Sequence, residues 1–391
     1  MKKIGGFSVQ FWLLCCSSFL FFSSFNMMIP ELPDYLTSLG GADYKGYIIA
    51  LFTLSAALSR PFSGKLADTI GRIPVMVIGA GVCFILGFLY PMVGTVWAFL
   101  LLRFFHGFST GFKPTGTSAY VADVVPENRR GEAMGLLGVF GSLGIAAGPA
   151  VGGVIALHLS LNAMFYTSSI FAILSVVILL GMTETVTVKH QFKPSLLLIP
   201  FNQIFEPRVL APSIVMFLSA YSFGVILTII PDFSVHLGIM NKGLFFASFT
   251  AASILVRVFA GRYSDRYGRL NVMRVSTLMV MATMWFVGTA TNPTTFFIAG
   301  ALLGLAAGMN SPTIFAWTID LSDPMHRGKA MATMYISMEI GIGMGALISA
   351  YIFDNQAANI PMAFNSSAIL AGLAFLYIQF VHKPKPLINE G

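Results

Sequence analysis

Along the chain, long apolar stretches alternate with short clusters of charge, glycine and proline. Dividing it at those clusters leaves twelve apolar segments, near residues 9–30, 46–63, 73–93, 97–120, 133–157, 162–182, 211–231, 243–261, 270–290, 295–319, 330–352 and 360–381. Their lengths centre on about 20 residues, which is what a helix needs to cross the hydrocarbon core of a bilayer. Lipid offers the backbone no hydrogen-bond partner, so each segment is predicted as a helix. The predicted fold class is all-α integral membrane, with twelve transmembrane helices. The long connector over 183–208 divides them into two six-helix bundles, 1–182 and 209–391, and part of it is expected to lie along the membrane surface as a short amphipathic helix. The opening MKKIGGFSVQFWLLCCSSFLFF imitates a signal peptide, but with so many spans following it is expected to be an uncleaved first span.

Composition agrees with the pattern. Of 391 residues, 56% are hydrophobic and only 10% charged, and the mean hydropathy is +0.80. A soluble domain would be roughly a quarter charged. Basic residues, from Lys2 and Lys3 through Arg72, Arg129 and Arg269 to Lys385, gather at one set of helix ends, while the opposite loops hold Lys45 and Lys242. By the positive-inside rule both termini and the connector are expected in the cytoplasm. The net charge of +7 then reflects topology, and no nucleic-acid partner is expected. Cys15, Cys16 and Cys83 all lie in apolar runs, without disulfide or metal spacing, and are read as packing residues. No metal and no cofactor is expected.

The two halves repeat one another. SGKLADTIGR at 63–72 and AGRYSDRYGR at 260–269 share the pattern G-[KR]-x-x-D-x-x-G-R, so that Gly64, Asp68, Gly71 and Arg72 stand 197 residues before Gly261, Asp265, Gly268 and Arg269. At the same offset Lys45 matches Lys242, Arg60 matches Arg257, Asp123 matches Asp320, and Arg130-Gly131 matches Arg327-Gly328. One register runs from the second span to the fifth. The chain is therefore read as a duplicated six-helix unit, an arrangement from which many secondary transporters are built.

The paired loop resembles the signature of the major facilitator superfamily. RFFHGFSTG, from Arg103 to Gly111, resembles that family's fourth-helix motif. GIAAGPAVGG, from Gly144 to Gly153, resembles the fifth-helix motif found mainly in antiporters, and IPELP, from Ile29 to Pro33, resembles the end of the first helix in twelve-span drug:proton antiporters. The resemblance covers nearly the whole chain. It implies alternating access, in which two bundles rock about a central cavity in a bacterial cell membrane. It also implies that Asp68 holds neighbouring helices together in one state while Arg72 pairs with acidic or carbonyl groups. Gly144, Gly148, Gly152 and Gly153 allow close helix approach, Pro149 favours a bend, and the family reading makes this helix a pliable seam between the halves.

Ionisable residues inside spans are expensive unless partnered or hydrated, and so point to function. Arg103, His106, Thr110, Lys113 and Thr117 fall within about 80° of one helical face. This polar stripe faces either the central cavity or a partner helix, and the cavity is the expectation. Asn26 and Asn310 are added as cavity candidates, although some relatives carry an acid where Asn26 stands. Glu339 lies deep in the eleventh span, where related exporters often have an acid and the first half has Ser142. It is the leading candidate for proton coupling, with Arg103 or His106 as possible stabilisers of its ionised form. Glu31 and Asp232 are secondary candidates, expected near the outer mouth and solvated there.

The resulting functional reading is proton-coupled export, by antiport, of small amphipathic compounds such as drugs. The positive stripe favours neutral, zwitterionic or anionic ones. The alternative is a dedicated carrier of one metabolite, sugar or lipid. The expected partners are a small-molecule substrate, protons and membrane lipids, and the protein is expected to be a monomer. A membrane enzyme is disfavoured: there is no helical HExxH, no nucleophile elbow, and SGKL lacks the Ser/Thr of a P-loop.

Overall fold

The computed structural model describes residues 3–4, 6–126, 129–186, 192–193, 196, 204–322 and 327–380. The amphipathic helix expected in the connector and the C-terminal tail fall largely outside these residues. Thirteen α-helices are described: α1 (Val9–Met28), α2 (Leu32–Ser38), α3 (Lys45–Thr69), α4 (Arg72–Leu89), α5 (Val96–Val124), α6 (Arg130–His158), α7 (Leu161–Leu180), α8 (Leu210–His236), α9 (Leu244–Tyr267), α10 (Arg269–Gly288), α11 (Pro293–Leu321), α12 (Arg327–Phe353) and α13 (Ile360–Phe380). The short α2 prolongs the first span beyond a 3-10 turn at Ile29–Glu31; the others correspond one to one with the predicted segments. A two-residue hairpin, Lys3–Ile4 with Phe7–Ser8, precedes α1 and was not visible in the pattern.

Helix starts follow from local chemistry. Ser8, Thr95, Ser160 and Asn292 each accept a backbone N–H from three residues ahead, satisfying a donor that the first turn leaves free. Several helices outrun their apolar segments: α3 continues to Thr69 and α9 to Tyr267. Hydropathy falls where Lys65 and Asp68 enter, yet nothing there breaks the backbone ladder.

Among the described residues, nine helical stretches are long and apolar enough to cross a membrane. The other long helices, α3, α5 and α9, carry Arg60, Arg103 with Lys113, and Arg257. Exposed Leu54, Leu58, Ile85, Val177 and Ile369 present the outer surface that a bilayer would cover.

The packing has twofold character. Within the first half α1 lies on α6 and α3 on α5; in the second, α8 lies on α12 and α9 on α11. The halves meet along two equivalent seams, α3 against α12 and α6 against α9. Serine pairs add polar contacts inside each bundle, Ser17 with Ser175 at 2.8 Å in one and Ser367 with Ser222 at 2.7 Å in the other.

Candidate functional site

The described hydrogen bonds and ion pairs between the halves run from mid-helix to the end opposite the chain's start, here called the far end. There, Lys45 at the start of α3 donates to Asp232 of α8 at 2.6 Å. Lys242, just before α9, donates to Glu31 at 3.0 Å and Asp34 at 2.5 Å beside α2. Because Lys45 and Lys242 are equivalent in the repeat, these are two copies of one latch. Burial pushes the Lys242 pKa down, but Glu31 and Asp34 more than offset this and hold it above the ordinary lysine value. Glu31 and Asp232, expected to be solvated acids, are thus tied to cations of the opposite half. The reason is that the two bundles bring the far loops together, which a single-helix reading could not foresee.

The deepest charged contact between the halves is Arg60 of α3 with Glu339 of α12, Nη2 to Oε1 at 2.6 Å, both side chains less than a tenth exposed. Arg60 also lies over the Tyr335 ring, 4.4 Å from its centroid, and its Nε has no described partner. The expected stabilisers of Glu339, Arg103 and His106, are elsewhere; the partner is Arg60. In the sequence Arg60 stands out only as a repeat match, and its signal is an arginine recurring inside an apolar helix.

The fourth-helix stripe faces its own bundle and not the cavity. Arg103 is fully buried, donates from Nε to the Ile48 carbonyl at 2.9 Å and from Nη1 to Tyr90 at 3.3 Å, and lies 4.6 Å from the Phe52 ring centre. His106 sits between Tyr90 and Cys83, each at 3.3 Å. Lys113 donates to Ser18 at 3.1 Å and lies over Phe21. Thr110 and Thr117 turn their hydroxyls back to the Gly107 and Lys113 carbonyls, and Asn26 donates to the Phe22 carbonyl at 2.7 Å. The helix wedges between α3 and α4, so carbonyls and rings there take up the charges.

A largely apolar cavity instead lies mostly in the second half, with α6 as its remaining wall; its empty space, open solvent included, is about 940 Å³. Apolar residues such as Met216, Phe223, Phe249 and Leu303 dominate its lining, interrupted by Ser142, Asn310 and Arg257. Asn310 is the one sequence candidate in this wall; it donates weakly to Ser219 and Ser276, both at 3.4 Å. Arg257, on α9, donates to Ser253 at 3.3 Å.

At the opposite, basic end the repeated loop ties helices within one half. Arg72 contacts Asp68 and donates from Nε to Asp123 at 3.1 Å, and Arg269 does the same to Asp320 at 2.9 Å. Gly71 and Gly268 adopt φ of +126° and +87°, a region that favours glycine. A side chain at Gly71 would also collide with Glu184. The Glu184 carboxylate accepts the Arg72 and Ile73 N–H groups at 3.1 and 3.0 Å and so caps α4. Burial raises its pKa, but bonds from the backbone of Val186, Arg72, Ile73 and Thr185 pull it below the usual carboxylate range. Gly64 lies in α3 with open space around it; the side chain of Asp265 and the surroundings of Gly261 lie outside the described residues.

On α6, Gly144, Gly148 and Gly152 bring the helix against the α1 backbone at Phe19, Ser23 and Met27. Gly153 meets Asn241 of the other half, Asn241 donates to the Ala150 carbonyl at 3.1 Å, and Gly243 abuts Pro149. One helix thus serves as an internal packing face and as part of the seam.

A sequence model of the Major Facilitator Superfamily matches residues 14–240 and 212–390. The chain belongs to the Major Facilitator Superfamily. Within it, the chain is similar to the multidrug resistance protein MdtG of Escherichia fergusonii, 26% identical over 402 residues that cover 96% of this chain and 95% of that one. It is also similar to the quinolone resistance protein NorA of Staphylococcus aureus, 26% identical with 96% and 98% covered. Among solved structures, a D-xylose-proton symporter superposes with a TM-score of 0.76 at 17% identity, covering 95% of this chain and 96% of that one, a likeness of fold. The protein is a multi-pass membrane protein with the superfamily's paired six-helix bundles.

Proposed function

We propose that this superfamily member is a proton-coupled exporter of small amphipathic compounds, working by alternating access across a bacterial cell membrane with the basic end and both termini in the cytoplasm. The relatives named for multidrug and quinolone resistance support drugs as the substrate class, and the largely apolar cavity suits amphipathic molecules better than sugars.

The observation that carries the coupling is the Arg60–Glu339 pair. A proton added to Glu339 removes one of the two charges that draw α12 to α3, so protonation acts on the seam along which the halves must move. Each proton moving inward supplies about 2.3 kcal/mol per 100 mV. Glu31 and Asp232, engaged by lysines, belong in this reading to the far-end latch; they remain the second choice for coupling. Glu339→Gln is expected to abolish transport driven by a pH gradient in proteoliposomes while leaving substrate binding and passive exchange intact. Full gradient-driven transport by the Gln variant would remove Glu339 from the coupling role. For orientation, a cysteine placed at exposed Glu132 should resist a membrane-impermeant maleimide added to intact cells; rapid labelling would reverse the proposed topology.

A further inference from the structure

We infer that Arg257 is the anion-binding subsite of the cavity and that the protein accepts amphipathic organic anions, carboxylates above all. The inference rests on the transporter reading and names the chemistry of its substrate.

It comes from a broken symmetry. The repeat makes Arg257 the counterpart of Arg60 and Ser142 the counterpart of Glu339. The seams are equivalent too, α3 with α12 and α9 with α6. On the first seam the arginine meets a carboxylate at 2.6 Å. On the second the acid is replaced by a serine, and both Arg257 and Ser142 line the cavity. Arg257 is partly buried, and its hydrogen bonding among the described residues is the long contact to Ser253. No carboxylate pairs with it among the described residues. A guanidinium presents five donors in a planar fork matched to a carboxylate, and a buried cation is retained only when something balances it. The place that Glu339 fills on the first seam is, on the second, left to a molecule entering the cavity. Thr250, Ser253 and Ser311 add hydroxyls to the same cavity lining, and the apolar walls accommodate a hydrophobic body.

The test uses the purified full-length protein in detergent, with 2-naphthoate and its uncharged match 2-naphthamide, by titration calorimetry. Wild type should bind the carboxylate about ten- to hundredfold tighter than the amide, as a charge-assisted bidentate contact implies. Arg257→Gln should erase that preference by weakening the carboxylate far more than the amide, while Arg257→Lys should keep part of it. Ser142→Glu supplies the missing internal acid with Arg257 intact, and should weaken the carboxylate selectively. Naphthoate bound no better than the amide, not bound at all, bound less tightly than tetraphenylphosphonium, or unaffected by both Arg257→Gln and Ser142→Glu would overturn the subsite. Because no gradient is involved, a wild type that binds the carboxylate but shows no proton-driven transport would count against the coupling proposal alone.

Discussion

At the scale of the residue, Arg60 and Arg257 show how one side chain type takes two roles at equivalent positions. Arg60 is held by Glu339 and Tyr335 on the neighbouring half, while Arg257 faces a cavity. A buried pair is fragile to single changes, since removing one partner strands the other at a penalty of about 3–5 kcal/mol. Arg60→Met is therefore expected to lower thermal stability by several degrees, and Arg60→Met with Glu339→Gln to recover most of the loss. A double-mutant cycle of melting temperatures reads this directly; additive effects would show that the two groups do not interact. The fully buried Arg103 and Lys113 depend instead on neutral partners, a carbonyl, hydroxyls and rings. Their charge was legible in the sequence, but their direction was not. A stripe on one helix face fixes which residues point together, and only the neighbouring helices decide whether they meet a cavity or a wall.

At the scale of the element, the α3–α4 turn depends on a residue far away in sequence. Glu184 lies beyond α7 and caps α4 through two N–H groups, while Arg72 draws in Asp68 and Asp123. The G-[KR]-x-x-D-x-x-G-R pattern showed the glycine turn and the charges. It could not show the capping acid, because that contact closes only when α7 returns beside α4. Glu184→Gln is expected to lower stability at neutral pH by about 0.5–2 kcal/mol, the range of a lost cap. The carboxylate's pKa is depressed in the folded protein, so its contribution is present above the ordinary carboxylate value and is lost as pH falls through the depressed one. The melting-temperature difference between wild type and the Gln variant should accordingly shrink on acidification below about pH 4. A difference that is constant down to pH 3 would contradict a charge-based cap.

At the scale of the whole molecule, the twofold repeat builds matched latches at the far end, Lys45 with Asp232 and Lys242 with Glu31 and Asp34. Both join the halves, and both must part if the cavity is to open at that end. Loss of about 1.4 kcal/mol from one state shifts a two-state ratio tenfold. Lys45→Ala with Lys242→Ala should thus populate a form open at the far end. Electron-resonance distances between spin labels at exposed Ser38 and Met240, on opposite halves, would lengthen in a cysteine-free background. An unchanged distance distribution would mean that the latches do not set the equilibrium.

The helical segments, the duplication and the identity of the loop that repeats were all legible in the sequence. These follow from local rules: backbone groups must be satisfied in lipid, glycine is favoured where φ is positive, and a repeated fold needs repeated residues. The sequence also marked the residues that later prove decisive, since Lys45, Lys242, Arg60 and Arg257 all stand in one register. The tertiary structure decided their partners: Glu339 for Arg60, acids of the opposite half for the lysines, and a cavity for Arg257. Charge pairing depends on distances of a few ångströms between helices that are far apart in the chain, and on which neighbour excludes water. Those quantities exist only once the two bundles have packed.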